Sequence, residues 1–178
     1  AGAGCLRMAE RWTDGLKGVS GVDALKFVGT GITNVAMAKV ATGAEEARGM
    51  RYLMPTDGVT LNRDRLLYHA KQRALGMARS GYRKPRPRII NAAGLDAART
   101  IGMSVWGLVE GGYASEHDAI IANKVTHVIC GGNVPAGHEL SEQDYLDLEL
   151  EAFLSLCGME KSQARMQSIL MNNKPLRN

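Results

Sequence analysis

Apolar residues recur along most of the chain at three- and four-residue spacing, the period of a helix with one buried face. The first such stretch begins near Gly4, runs through Leu6, Met8 and Trp12, and should stop before Asp14-Gly15. Leu16 to Gly21 then reads as a glycine-rich loop. Val22, Leu25 and Val28 predict a short helix that Gly29-Thr30-Gly31 breaks. Thr42 with Glu45 three positions on has the form of a capping box and predicts a brief helix to about Arg48. Asn62 caps a longer helix reaching about Ser80, with Leu66, Leu67, Ala70, Ala74, Leu75, Met77 and Ala78 on its apolar face and Gly81 as its stop. Leu95 to Glu110 predicts another helix, with Met103, Val105, Trp106 and Val109 among its apolar positions. Ser115 with Asp118 starts a further one through Ile129. Ser141 caps a helix to about Cys157, in which Tyr145, Leu148, Ala152, Phe153 and Leu156 face the core and the acids face away. Glu160 to about Met171 closes the series.

Strand signals are scarce: only Arg51 to Met54 and Val59 to Leu61 have the character of short extended pieces that could pair. Met54-Pro55-Thr56-Asp57-Gly58 between them is a turn, because proline fixes φ and Asp-Gly tolerates a positive one. Tyr82 to Arg88, with Pro85 and Pro87, is an extended connector. The expected fold is therefore mainly α, with little or no sheet.

At 178 residues and 45% apolar content the chain has enough material for a packed core. No run approaches the ~18 apolar residues of a membrane helix and no signal-peptide pattern opens the chain, so a cytoplasmic protein is expected. Cys5, Cys130 and Cys157 are odd in number and form no C-x-x-C pattern, which argues against a disulfide framework or zinc site and for buried small side chains. The net charge of +4 hides a segregated distribution. Arg63 to Arg88 carries nine basic residues and one acid, whereas Glu139 to Glu151 carries six acids and no base. These regions could pair internally or between subunits.

Candidate chemistry is sparse. His69, His117, His127 and His138 have no shared metal-ligand spacing, and the i, i+3 pair His127 and Cys130 has no clear third ligand, so no metal is assigned. Gly2-Ala3-Gly4 before a helix could present backbone amides to an anion, but matches neither a dinucleotide nor a P-loop fingerprint. A tight entry into the helix is the simpler reading. The basic block has too few aromatics, Tyr68 and Tyr82, for a nucleic-acid surface; a smaller phosphorylated partner such as the nucleotide end of coenzyme A would use the same charges.

The ending Phe153-Leu154-Ser155-Leu156-Cys157-Gly158, Lys161 to Arg165 and Lys174-Pro175-Leu176-Arg177-Asn178 is similar to the C-terminus of a bacterial β-oxidation family. In it a 3-hydroxyacyl-CoA dehydrogenase is joined to an enoyl-CoA hydratase of the crotonase superfamily. Further landmarks follow the family's order: Lys39 to Thr42 with Glu45 to Arg48, Asn62 to Leu67, Gly112-Tyr113 with Ser115 and His117-Asp118, and Cys130-Gly131-Gly132.

The resemblance implies that residues 1–81 are the C-terminal part of a crotonase domain, 82–94 a Pro/Arg-rich connector, and 95–178 a helical extension. It implies that Gly2, Ala3 and Gly4 belong to a loop lining the acyl pocket and that the catalytic glutamates, the oxyanion amides and the NAD fold lie upstream. The chain begins without methionine at what looks like a loop-to-helix junction, so its N-terminus reads as cut. The chain itself should hold no catalytic residue and no cofactor. Its implied partners are the upstream core and dehydrogenase domains, acyl-CoA and further copies of the chain, with NAD bound by the parent. A non-catalytic helical assembly module and a basic RNA-binding protein are the alternatives from other classes.

Overall fold

The computed structural model describes residues 2–13 and 21–178. Its elements are α1 (Gly4–Thr13), α2 (Gly21–Ala36), α3 (Ala44–Gly49), a 3-10 turn (Arg63–Arg65), α4 (Leu66–Arg79), β1 (Ile89–Asn91), α5 (Leu95–Glu110), α6 (Glu116–Ile129), β2 (Glu139–Ser141), α7 (Glu142–Cys157) and α8 (Glu160–Asn172). The fold is mainly helical, as the periodicity predicts. The expected loop from Leu16 falls outside the described residues up to Ser20.

Packing gathers the chain into two compact units, Ala1–Val40 with Arg88–Asn178, and Ala41–Pro87. Helices α1 and α2 pack with elements that follow the connector expected at 82–94. In the larger unit α6 packs against α1, α2, α5 and α7. Leu6, Trp12, Ile32, Val105, Ile129 and Tyr145 are among its buried side chains.

The structure departs from the sequence expectation in several local details. First, α2 runs unbroken through Gly29-Thr30-Gly31. A Cβ on Gly31 would lie 2.6 Å from the Trp12 indole, so this glycine admits a close helix–helix contact rather than ending a helix. Second, the paired strands are Ile89–Asn91 and Glu139–Ser141, antiparallel with Ile90 opposite Leu140, and not Arg51–Met54 and Val59–Leu61. Ile90 and Leu140 are both buried, which explains why these distant segments pair. Third, Met103 and Trp106 are exposed, and the buried residues of α5 are Ile101 and Val105.

The capping code holds where it is local. Ser115 and Asp118 form a reciprocal box at the start of α6, and Ser141 and Asp144 form another at α7. In the smaller unit Thr42 instead uses Glu46: its N–H and hydroxyl donate to the Glu46 carboxylate at 2.8 and 2.7 Å. Glu45 pairs with Arg48. The Met54–Asp57 turn is closed by the Asp57 N–H donating to the Met54 carbonyl at 3.0 Å and the Met54 N–H to the Asp57 carboxylate at 2.8 Å. Asn62 accepts from the Asp64 N–H at 2.9 Å ahead of α4. None of the α4 side chains expected on an apolar face is buried; Leu67 is 81% exposed.

Candidate functional site

Gly2, Ala3 and Gly4 lie at the entry to α1. Ala3 adopts φ +62°, a left-handed conformation uncommon outside glycine, and its carbonyl accepts the Arg7 N–H at 3.0 Å. The opening amides of a helix have no partner within it and point their partial positive charge outward. Here they meet Glu149 of α7. One carboxylate oxygen accepts from the N–H groups of Gly2 and Gly4 at 3.0 and 3.1 Å, and the other accepts from Leu6 at 3.3 Å.

Glu149 is 7% exposed, so its charge has lost most of its water. Burying a carboxylate is costly unless donors replace the lost hydration, and three amides at a helix N-terminus supply them. The anion held by the Gly2–Gly4 amides in this structure is thus the chain's own. The reading that the α7 acids face away fails at this residue, because Tyr145, Glu149 and Ala152 form the buried stripe of α7. Their i, i+4, i+7 spacing is a signal in the sequence that an acid lies on the core face.

A second polar cluster joins α6 to α8. His117 and Ser162 share a buried hydrogen bond of 2.9 Å between Nε2 and Oγ. Desolvation, with the nearby Arg165 and Lys161 charges, lowers the histidine's pKa against the opposing pull of Asp118. Arg165 donates to Asp118 at 2.6 Å, to the Ser115 hydroxyl at 3.3 Å, and to the Asn178 side chain and backbone oxygens at 2.8 and 3.2 Å. Burial opposes ionisation of Asp118, yet its bonds to Ser115 and Arg165 win and hold its pKa down.

The remaining candidates are quiet. Burial pushes the Cys130 thiol up to about 12, and burial beside Glu149 pushes Cys5 up to about 11, so neither is a ready nucleophile. Cys130 is buried as expected, whereas Cys5 and Cys157 are only half-buried. His69 meets the Thr60 hydroxyl at 3.3 Å. Among the described residues no three His, Cys, Asp or Glu side chains gather as a metal-ligand group. An apolar cavity between α2, α5 and α6, lined by Ile32, Ala36, Val105 and Ala122 among others, has a volume of 50 Å³. That is far below the ~300 Å³ at which ligand pockets begin. Among the described residues no helix is long and apolar enough to cross a membrane.

Over 144 residues, 81% of the chain, the sequence is 46% identical to the probable 3-hydroxyacyl-CoA dehydrogenase of Bacillus subtilis strain 168. No protein-family model matches the chain. No solved structure matches it either. The matched stretch makes up 18% of the Bacillus protein, so the chain is similar to one region of a protein named for 3-hydroxyacyl-CoA dehydrogenase.

Proposed function

We propose that the chain is the helical C-terminal part of a β-oxidation enzyme whose other regions carry the chemistry. That parent oxidises 3-hydroxyacyl-CoA with NAD and hydrates trans-2-enoyl-CoA. The observation that carries the dehydrogenase reading is the 46% identity to the Bacillus protein. The hydratase half rests on the resemblance of Gly2 to Gly4 and the later landmarks to a crotonase domain.

The site geometry supports a chain that is inert by itself. Glu149, the buried acid among the described residues, is engaged by backbone amides, and a general acid or base must instead reach a substrate proton. The residues present do not fit NAD. A dinucleotide site needs a parallel β-α-β unit with a glycine-rich turn, whereas the sheet among the described residues is two antiparallel strands. The cofactor would be held elsewhere in the parent.

The test compares this chain with the parent polypeptide in hydration of crotonyl-CoA and NAD-dependent oxidation of 3-hydroxybutyryl-CoA. Both activities are expected in the parent and neither in the chain. Activity in the chain alone would show that it holds its own catalytic groups. A parent without hydration would remove the crotonase half.

The exposed apolar face of α4 favours a second reading, a helical assembly module that binds further copies or neighbouring domains. Sedimentation of the chain across a concentration range distinguishes the two. Self-association with no activity in the parent would favour assembly.

A further inference from the structure

Glu149 is far along the chain from the loop it holds, yet it supplies the acceptors for three amides of one short segment. The segment needs such a hold. Ala3 sits at φ +62°, where a side chain is strained, and a Cβ on Gly2 or Gly4 would meet nothing within 4 Å, so no close packing fixes those two residues. A carboxylate with its two oxygens spread over Gly2, Gly4 and Leu6 defines both the loop's bend and the first turn of α1. Glu149 shares the buried stripe of α7 with Tyr145 and Ala152, so its side chain starts from the core face of the helix.

We propose that Glu149 is a positioning residue that sets the shape of the Gly2–Gly4 loop, and through it the acyl pocket of the hydratase. This rests on the hydratase half of the proposed function, and on the crotonase resemblance that makes Gly2, Ala3 and Gly4 part of a loop lining the acyl pocket. The C-terminal helical region then does more than cover the core, because its α7 fixes a loop that borders the substrate. Glu149 touches no substrate; it acts through the amides it accepts from.

Two measurements test this together. In the 178-residue chain, Glu149→Gln keeps one acceptor oxygen but loses the charge and the second acceptor. Gly4 and Leu6 donate to different oxygens, so at least one of these two amides loses its acceptor and should exchange with solvent ~10-fold faster or more, while α6 amides keep their protection. In the parent polypeptide the same substitution should raise KM for crotonyl-CoA ~10-fold through the misplaced pocket wall, and leave NAD-dependent oxidation of 3-hydroxybutyryl-CoA unchanged. A general loss of folding would lower both activities together. Should Glu149→Gln fail to fold, Glu149→Asp, charged but one methylene short, is read in the same way.

Unchanged exchange at Gly4 and Leu6 would overturn the positioning role. Faster exchange with unchanged hydratase KM would overturn the link to the acyl pocket. A wild-type parent that hydrates nothing would sink the crotonase reading and this link with it, and is recognisable because the failure appears without any substitution.

Discussion

Tyr145 carries a phenol whose side chain is wholly buried and whose hydroxyl has no hydrogen-bond partner among the described residues. Burial, with a smaller contribution from Cys130, raises its pKa, so the group stays neutral but unsatisfied. Removing an unpaired buried hydroxyl recovers its desolvation penalty, so Tyr145→Phe should stabilise the fold by about 1 kcal/mol in urea unfolding. Two glycines of α2 make an opposed pair. At Gly29 the nearest atom to an added Cβ is Ile101 Cγ1 at 4.0 Å, whereas at Gly31 the Trp12 indole lies at 2.6 Å. Gly29→Ala should therefore gain about 0.5–1 kcal/mol from helix propensity. Gly31→Ala should lose about 1–2 kcal/mol, because overpacking against the indole outweighs the same gain. Equal shifts for both variants in urea unfolding would show that the Trp12 contact is not what selects glycine. His117 adds a pH dependence. Its folded pKa lies below the unfolded value, so the unfolded chain takes up the proton first. Stability is full above the unfolded value, near pH 6.5, and falls as pH drops toward the folded pKa. The melting temperature should fall between pH 7.5 and 5.5, and less steeply in His117→Gln.

Helices α6 and α7 begin with the same Ser-x-x-Asp box, and among the described residues Asp118 also receives the guanidinium of Arg165. Asp118 therefore joins two elements: its Oδ2 accepts the Ser115 N–H at 3.0 Å and its Oδ1 accepts from Arg165 of α8. Ser115→Ala should cost about 1 kcal/mol as the loss of a helix cap. Arg165→Lys should also destabilise, since one ammonium cannot reproduce a fork that reaches Asp118, Ser115 and Asn178. A double-mutant cycle between the two positions should show coupling; strict additivity would mean that cap and guanidinium act separately. These boxes are legible in the sequence because their physics is confined to four residues. The β1–β2 pairing is not legible, since α5 and α6 separate Ile90 from Leu140 in sequence and no local pattern ties the two segments together. Glu149 lies between these cases. Its place on the Tyr145 stripe is readable from helical spacing, but the amides that make burial tolerable belong to the far end of the chain. The assumption that acids face water prevails until α1 is seen against α7.

At the scale of the molecule, the larger compact unit is discontinuous in sequence: Ala1–Val40 packs with Arg88–Asn178, and Ala41–Pro87 lies between them along the chain. Its two pieces are joined by packing of α1 against α6 and α7 and of α2 against α6, by Glu149 on the α1 amides, and by Arg88 at 2.9 Å from the Glu10 carboxylate. The smaller unit holds α4, none of whose side chains is buried, and eight of the nine basic residues found from Arg63 to Arg88. A helix without buried apolar contacts opens locally at little cost, and proteases act on such openings. Brief trypsin treatment should therefore cut first between Arg63 and Arg88 and separate the covalent chain into two pieces on a denaturing gel. The nicked protein should nevertheless elute as one species under native conditions, because the cut leaves the core contacts of the larger unit intact. Pieces that separate without denaturant would show that residues 1–40 are held to the rest through the covalent connection and not by packing. In that event Glu149 could not hold the Gly2–Gly4 loop across the interface either.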